Sequence, residues 1–268
     1  MIKIACIQSD VVLGDSITNF MKMKGKIIEA INQHATVIVL PELWTTGYCL
    51  EEITKHTGQQ ESIISELQTI ARNNQVTIIS GSFPIEREHG VTNTLIVINN
   101  QGDVVKEYDK VHLFQLMNEH HYLQSGTDNG LFTIDGLEVA GFVCYDLRFP
   151  EWIQTHAVNG AKVLFFVAEW PIQRMEHWET LLKARAIENQ CYVVACNRVG
   201  KDLANTFGGG SVLIDPWGEV LVKGSTEEEI IYGEIDRGKV EEIRNTIPIF
   251  EDRKDGIYKS FKKKRLTN

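Results

Sequence analysis

The stretch LEVAGFVCYDLRFPEWIQTHAVNGAKVLFFVAEW, residues 137–170, decides the fold class of this chain. LEVAGFVCY has the apolar character of a buried strand, and KVLFFVAEW predicts a second one. Between them, PEWIQTHAVNGA predicts a helix that begins at a proline and is closed by a glycine. A strand, a helix and a further apolar strand in this order are typical of an α/β protein.

The same alternation continues on both sides of this stretch. Apolar runs predict further strands, and amphipathic spacing predicts helices over residues 17–34, 59–74 and 177–190. The segments NNQGD and DPWG each predict a hairpin turn between two strands. Strand–helix units mixed with hairpins indicate large mixed sheets with helices outside. We therefore predict a four-layer α-β-β-α sandwich, and a single domain over residues 1–268 because no linker or internal repeat interrupts the chain.

Composition limits the classes of function. The 268 residues are 43% hydrophobic and 24% charged, as in ordinary globular proteins, and the net charge of −9 makes nucleic acid an unfavourable partner. The basic C-terminal run KSFKKKRLTN is expected to be a solvated tail. No apolar stretch reaches the roughly 18 residues of a membrane span. The five cysteines are odd in number and lack a C-x-x-C spacing, and no signal peptide begins the chain, so we expect a cytoplasmic protein with reduced thiols.

Three ionisable residues follow apolar runs, where the loops of α/β proteins gather their chemistry. Cys144 ends a strand, but a free thiol is only slightly ionised at neutral pH and needs a base to act as a nucleophile. Glu42 follows a strand and a proline, and Lys110 follows another strand. Each of these residues alone is more often structural or solvated. Together they could supply a nucleophile, a base and a cation.

Their surroundings strengthen this interpretation. The segments LPELWTTGY, YDKVHLF and GFVCYDLRFPE, in this order, resemble the motifs of the nitrilase (carbon–nitrogen hydrolase) superfamily. The resemblance covers roughly residues 1–240 and leaves a C-terminal extension from about 240. Within the superfamily, HLFQLMNEHHYLQSG and FGGGSVLIDPWGEV are similar to the branch that contains omega-amidases.

The resemblance implies a Glu-Lys-Cys triad of Glu42, Lys110 and Cys144 and a nitrilase-type sandwich. Glu42 would accept the thiol proton, while Lys110 and the backbone N–H of Tyr145 would stabilise the oxyanion. Glu119 in MNEHHY matches a second glutamate, which would position Lys110 or the substrate amide. The resemblance implies no metal ion and no organic cofactor.

Two alternatives concern the surroundings of Cys144. A histidine could be its base, and the candidates are His112, His120, His121, His156 and His177. Asp146 and Arg148 flank the nucleophile and could be catalytic, but an internal ion pair that fixes the turn is the favoured interpretation. Arg185 and Glu188, three residues apart on one helical face, are expected to be structural.

The substrate is only partly specified by the sequence. Arg174 or His177 could bind a substrate carboxylate, and Trp170, Phe114 and Tyr48 could line a small, partly apolar pocket. The resemblance implies an omega-amidase that converts a small carboxylate-bearing amide, such as 2-oxoglutaramate, to the acid and ammonia. The alternatives are an N-carbamoyl or aliphatic amidase, a catalytically silent binding or scaffold protein, and a redox sensor that uses Cys144.

The resemblance also implies a homodimer. The helices after the catalytic cysteine, PEWIQTHAVNG and HWETLLKARAIENQ, would lie at the interface. The segment after about residue 240 would cross to the partner.

Overall fold

A computed structural model describes residues 1–260 as two β-sheets that face each other, with helices on both outer sides. The strands are β1 Ile2–Gln8, β2 Val37–Val39, β3 Thr77–Arg87, β4 Gly90–Ile98, β5 Val104–Asp109, β6 Leu123–Gln124, β7 Leu131–Ile134, β8 Leu137–Val143, β9 Val163–Ala168, β10 Tyr192–Asn197, β11 Val199–Lys201, β12 Thr206–Gly208, β13 Val212–Ile214, β14 Val220–Lys223 and β15 Glu229–Ile235. The helices are α1 Ser16–Asn32, α2 Gln60–Asn74, α3 Glu119–Tyr122, α4 Pro150–Val158, α5 Met175–Asn189, α6 Lys239–Thr246 and α7 Asp255–Ser260.

The two large sheets share one topology. The first has the order β15-β1-β2-β3-β4-β5, with β6 paired to β4, and the second has the order β14-β13-β10-β9-β8-β7. Three parallel strands form the centre of each sheet, β1-β2-β3 in one and β8-β9-β10 in the other. Antiparallel strands flank them on both sides. The βα units therefore build the centres of the sheets, and the predicted hairpins β4–β5 and β13–β14 widen them.

Four layers follow from how the strands divide their side chains. One face of the first sheet packs on α1 and α2, where Ile27 and Leu67 are fully buried. Its opposite face packs on the second sheet, and Val39 and Phe166 belong to this shared core. The outer face of the second sheet is covered by α4 and α5. Central strands are apolar on both faces because both faces are covered. The predicted α-β-β-α sandwich is confirmed.

Several elements lack a strong sequence signal. Short 3-10 helices occur at Leu50–Gln59, Gln115–Met117, Cys144–Arg148 and Ile172–Arg174, and β11 and β12 form a separate two-stranded sheet. These elements are too short to display a clear period, and most of them lie in the loops that surround Cys144.

Within residues 1–260, no helix is long and apolar enough to cross a membrane. The C-terminal extension continues as α6, whose Val240 and Ile243 are buried, and then as α7. Most of the basic run that we expected to be a solvated tail, residues 261–268, lies outside the described residues.

Candidate active site

Cys144 lies on a sharp turn at the carboxyl end of β8. Its φ of 43° is in the left-handed region, which non-glycine residues rarely adopt, so neighbouring groups must hold the turn. Asp146 does this: its Oδ2 accepts from the Val143 N–H at 3.1 Å and from the Tyr108 hydroxyl at 2.8 Å. Arg185 also stabilises this turn, since its Nη2 donates a hydrogen bond to the Leu147 carbonyl at 2.8 Å.

The expected ion pair between Asp146 and Arg148 is wrong. Asp146 Oδ1 instead contacts His112 Nδ1 at 2.7 Å and accepts from the His112 backbone N–H at 3.1 Å. The Arg148 guanidinium lies over the Trp170 ring, 4.7 Å from its centre. Only the three-dimensional path of the chain brings His112 to the turn, whereas sequence proximity suggested Arg148. Arg185 pairs with Glu188 at 2.8 Å, in agreement with their predicted structural role.

Glu42 lies in the loop after β2, directly behind the thiol. Gly81 makes this loop possible: its φ is 65°, and an added Cβ would come within 2.0 Å of the Pro41 carbonyl oxygen. The Glu42 carboxylate is completely buried and accepts from Lys110 Nζ and Asn93 Nδ2, each at 2.9 Å. It also accepts a hydrogen bond from the Cys144 thiol.

Lys110 joins two buried carboxylates. Its Nζ lies 2.9 Å from Glu42 Oε1 and 2.7 Å from Glu119 Oε1, and all three side chains are fully buried. Glu119 Oε2 accepts from the Phe114 N–H at 3.0 Å, which ties α3 to the preceding loop. The predicted residues Glu42, Lys110 and Glu119 thus form one cluster beside Cys144.

Tyr48 lies between the two carboxylates. Its hydroxyl oxygen is 2.8 Å from Glu42 Oε1 and 2.7 Å from Glu119 Oε1. A phenol has a single proton, so one of these two short contacts needs a proton on the carboxyl group. The ring lines a neighbouring surface pocket of about 600 Å³ and not the cavity above Cys144. We predicted that Tyr48 lines the substrate pocket, but it does not line the cavity above Cys144.

The charges of the cluster shift the pKa values of its members. Burial raises the pKa of the Cys144 thiol well above its usual range; Glu42 adds to the shift and Lys110 opposes it. Burial also raises the pKa of Glu119, against the effect of Lys110. Burial alone would lower the pKa of Lys110, but Glu119 and Glu42 outweigh it and raise that pKa. The folded protein therefore holds a neutral thiol beside an ammonium group.

A small cavity opens above the thiol. Its volume is about 10 Å³, roughly one water molecule, and its wall includes Cys144, Tyr145, Phe114, Trp170 and Arg174. Tyr145 is the first residue after Cys144 in a 3-10 helix, and the initial N–H groups of a helix have no partner within the helix. The predicted substrate-binding residues other than Tyr48 are thus brought together here.

The outer wall of the cavity carries two guanidinium groups. Arg174 lies over the Phe114 ring at 5.4 Å, and Arg148 contacts His177 Nδ1 at 3.2 Å. Neither arginine forms a salt bridge with an acidic side chain of residues 1–260. Sequence reasoning missed Arg148, because its position four residues after Cys144 suggested a role in the turn. His177 itself is exposed and does not line the cavity.

Glu169 also lines the cavity and was not predicted. It is fully buried, pairs with Arg198 Nη1 at 2.8 Å, and donates its backbone N–H to Glu42 Oε2 at 2.9 Å. Burial raises the pKa of Glu169 to about 8; Arg198 opposes this shift and Glu42 adds to it. Its place after the apolar strand β9, in the segment AEWP, was the available signal.

The histidines offer little as bases for Cys144. His112 is bound to Asp146 and stacks on Phe149 with a ring-centre distance of 3.6 Å. His156 contacts the Trp152 carbonyl and accepts from the Gly130 N–H. The charged groups that shift the pKa of Cys144 most are Glu42, Lys110 and Glu119. The geometry therefore favours a carboxylate as the partner of the thiol.

A buried thiol beside a carboxylate and an ammonium group meets the requirements of a cysteine nucleophile, which needs a neighbouring base to take its proton. The carbon–nitrogen hydrolase family model matches residues 3–245, and the chain belongs to this family. The chain is 46% identical to a 2-oxoglutaramate amidase of Bacillus subtilis over 258 residues, which is 95% of this chain and 98% of the relative. It is 33% identical to the omega-amidase YafV of Escherichia coli over 253 residues, 94% and 96% of the two chains.

The fold is also found among solved structures. A carbon–nitrogen hydrolase superfamily protein from Xanthomonas campestris superposes with a TM-score of 0.86 at 31% identity and covers 94% of this chain and 97% of its own.

Proposed function

We propose that the protein is an amidase that hydrolyses a small carboxylate-bearing amide, such as 2-oxoglutaramate, to the acid and ammonia. The observation that carries this proposal is the pair of arginines, Arg148 and Arg174, at the outer end of the Cys144 cavity. Guanidinium groups without acidic partners suit a carboxylate, and the rest of the wall is largely apolar. The names of the two curated relatives point to the same class of substrate.

We infer the first half of the reaction from the contacts of Cys144. The thiol is neutral, so it attacks the amide carbon as it transfers its proton to Glu42, with which it shares a hydrogen bond. The oxyanion that forms is stabilised by Lys110 and by the Tyr145 N–H. Lys110 makes two short contacts with carboxylates and a longer one, 3.4 Å, with Tyr48, so its third N–H can serve the oxyanion.

The second half releases both products. Glu42 returns the proton to the nitrogen, the C–N bond breaks, and ammonia leaves behind a thioester on Cys144. Glu42 then takes a proton from a water molecule, whose oxygen attacks the thioester carbonyl. The C–S bond breaks, Glu42 gives that proton to the sulfur, and the carboxylic acid leaves the restored thiol. Glu119 keeps Lys110 in place through their 2.7 Å contact.

The cavity constrains how the substrate enters. A volume of about 10 Å³ is far too small for a molecule the size of 2-oxoglutaramate. Part of the wall must therefore move on binding. The 3-10 helix Gln115–Met117 is the segment suited to this, because Leu116 at its centre is 72% exposed and has little packing to lose.

The test is ammonia release from 2-oxoglutaramate, glutamine, butyramide and an N-carbamoyl amine by the wild type and by Cys144→Ala. We expect the highest kcat/KM with 2-oxoglutaramate, and a loss of at least about 1000-fold in the variant because the nucleophile is absent. Cys49→Ala is the matched control, since Cys49 is half-buried and outside the cavity.

Other outcomes would contradict specific parts of the proposal. A better turnover of butyramide or the N-carbamoyl amine would reject the carboxylate-bearing substrate but keep the mechanism. Turnover that survives Cys144→Ala would reject Cys144 as the nucleophile. Alkylation of Cys144 in a protein that turns over none of these substrates would favour the redox or scaffold role.

We further propose a cytoplasmic homodimer. All five cysteines are free, which suits a reducing compartment. Val158 on α4 and Ile187 on α5 are 43% and 48% exposed, so both helices present apolar side chains for a partner copy. Light scattering is expected to give twice the mass of 30.4 kDa, and Ile187→Glu is expected to shift it toward the monomer. A monomeric wild type would contradict the dimer, and a secreted fraction in cells would contradict the location.

A further inference from the structure

Glu169 keeps one carboxylate oxygen without a partner. Its Oε2 receives Arg198 Nη1 at 2.8 Å, whereas the buried Oε1 has no hydrogen-bond partner in the part of the chain that the structure describes. A buried polar atom without a partner costs about 1–3 kcal/mol, more when it is charged, so proteins seldom leave one unless a ligand completes it.

Glu169 is placed where an amide would react. Glu169 lines the same cavity as Cys144, and its backbone N–H binds Glu42 Oε2 at 2.9 Å. Glu42 is the group to which we assign proton transfer to the leaving nitrogen. Arg148 and Arg174 line the same cavity but are only half-buried, and they suit the acid end of the substrate.

The hydrogen-bonding requirements match those of a primary amide. A carboxylate oxygen can only accept, and a primary amide carries two N–H donors on the nitrogen that leaves. We propose that Glu169 is a substrate-binding residue, whose free Oε1 accepts a hydrogen bond from the amide –NH₂ group and makes the site selective for primary amides. This inference rests on the proposed amidase function. Burial raises the pKa of Glu169 to about 8, so the free protein holds this carboxyl group protonated at neutral pH, and the hydrogen bond donated by the substrate favours the ionised form that accepts it.

Substrates without the second N–H should be rejected. An N-methyl amide that places its methyl group against Oε1 leaves a buried carboxylate oxygen unpaired, and an ester places an oxygen lone pair there. Sites built to hydrogen-bond a substrate group discriminate strongly against analogues that lack it. We expect kcat/KM of the wild type for the N-methyl amide of 2-oxoglutaramate to be at least about 10-fold lower than for 2-oxoglutaramate.

Glu169→Gln tests the assignment directly. Arg198 offers only donors, so the glutamine must turn its carbonyl oxygen to Arg198 and its NH₂ group to the cavity. A donor would then face the substrate N–H. We expect kcat/KM for 2-oxoglutaramate to fall about 10- to 100-fold. Hydrolysis of the 5-methyl ester of 2-oxoglutarate should not fall, because the NH₂ group can donate to the ester oxygen. Glu179→Gln, an exposed glutamate of α5 that pairs with Lys223, is the matched control.

The outcomes separate a binding role from a structural one. Equal losses of kcat/KM for the amide and the ester in Glu169→Gln would mean that Glu169 only stabilises the fold. An unchanged kcat/KM for the amide would mean that Glu169 does not contact the substrate. Either result overturns the inference. If Glu169→Gln does not fold, the wild type alone still tests the inference. Equal kcat/KM values for 2-oxoglutaramate and its N-methyl amide would overturn it. Ammonia release from no amide by the wild type would instead contradict the proposed function.

Discussion

At the inner end of the Cys144 cavity the charged groups are paired with one another, whereas the outer end presents two guanidinium groups without acidic partners in residues 1–260. At the inner end, Lys110 is held between Glu42 and Glu119, and all three side chains are fully buried. At the outer end, Arg148 and Arg174 lie on aromatic rings and are only half-buried.

Under the proposed function, this difference separates two tasks. Groups that must stand at a fixed place for proton transfer have their hydrogen bonds filled by the protein, which removes alternative positions. Groups that recognise a substrate keep hydrogen-bond donors or acceptors without a protein partner, and the ligand binds to these. Glu169 links the two ends because one of its oxygens is filled by Arg198 and the other is free.

The inner end should be the more sensitive to mutation, and Glu42→Gln gives the largest expected effect among these predictions. Glutamine keeps the shape but cannot take the thiol proton, so we expect kcat to fall about 100- to 10,000-fold for amide and ester substrates alike. Steady-state kinetics with both substrates measure this. The exposed Glu61→Gln on α2 is the control. Retention of more than a tenth of the activity would show that another group is the base.

At the outer end, Arg174→Gln should act on binding and not on chemistry. The loss of one charge-assisted hydrogen bond predicts a KM for 2-oxoglutaramate about 10- to 100-fold higher, with a smaller change in kcat. Butyramide has no carboxylate, so its KM should stay the same. Arg237→Gln, an exposed arginine paired with Asp135, serves as the control. An equal loss for both substrates would assign Arg174 to the fold instead.

A smaller effect is expected from Tyr48→Phe, which removes the hydroxyl group between Glu42 and Glu119. The hydroxyl group donates to only one carboxylate at a time; the loss of that hydrogen bond, worth about 1.5 kcal/mol, is expected to lower kcat/KM about tenfold for every substrate. The uniform loss distinguishes this change at the inner end from the selective loss in Arg174→Gln. A rise in KM for carboxylate-bearing substrates alone would instead indicate that Tyr48 contacts the substrate, as the sequence predicted.

The smallest expected effect concerns pH and Glu169. Its pKa in the folded protein is raised to about 8, so this carboxyl group stays protonated where the unfolded chain has already lost the proton. The unfolded state then binds fewer protons, and the contribution of Glu169 to the free energy of unfolding decreases from about pH 4.5 to pH 8. Urea midpoints at pH 5 and pH 8 should diverge less in Glu169→Gln than in the wild type. The same divergence in both proteins would show that the pKa of Glu169 is not raised.

The sequence was informative wherever a signal is local. The alternation around residues 137–170 predicted the layers, since burial on one or both faces leaves its period in the chain. Glu42, Lys110 and Cys144 follow apolar runs, and their motifs predicted that they share a site. The contacts of the turn at Cys144 could not be predicted from neighbouring residues. Asp146, which stabilises this turn, contacts Tyr108 and His112 and not the nearby Arg148.

What the sequence by itself determined is the sandwich, the family and the three residues around which the site is built, because these depend on periodicity and on short motifs. Only the tertiary structure decided that Tyr48 stands between two carboxylates, that Arg148 joins Arg174 on the cavity wall, and that Glu169 keeps a free oxygen. These facts depend on which polar atoms meet between loops that are far apart in the sequence. Partners such as Glu169 and Arg198 are 29 residues apart, and no local pattern records which hydrogen bonds remain unfilled when the sheets close.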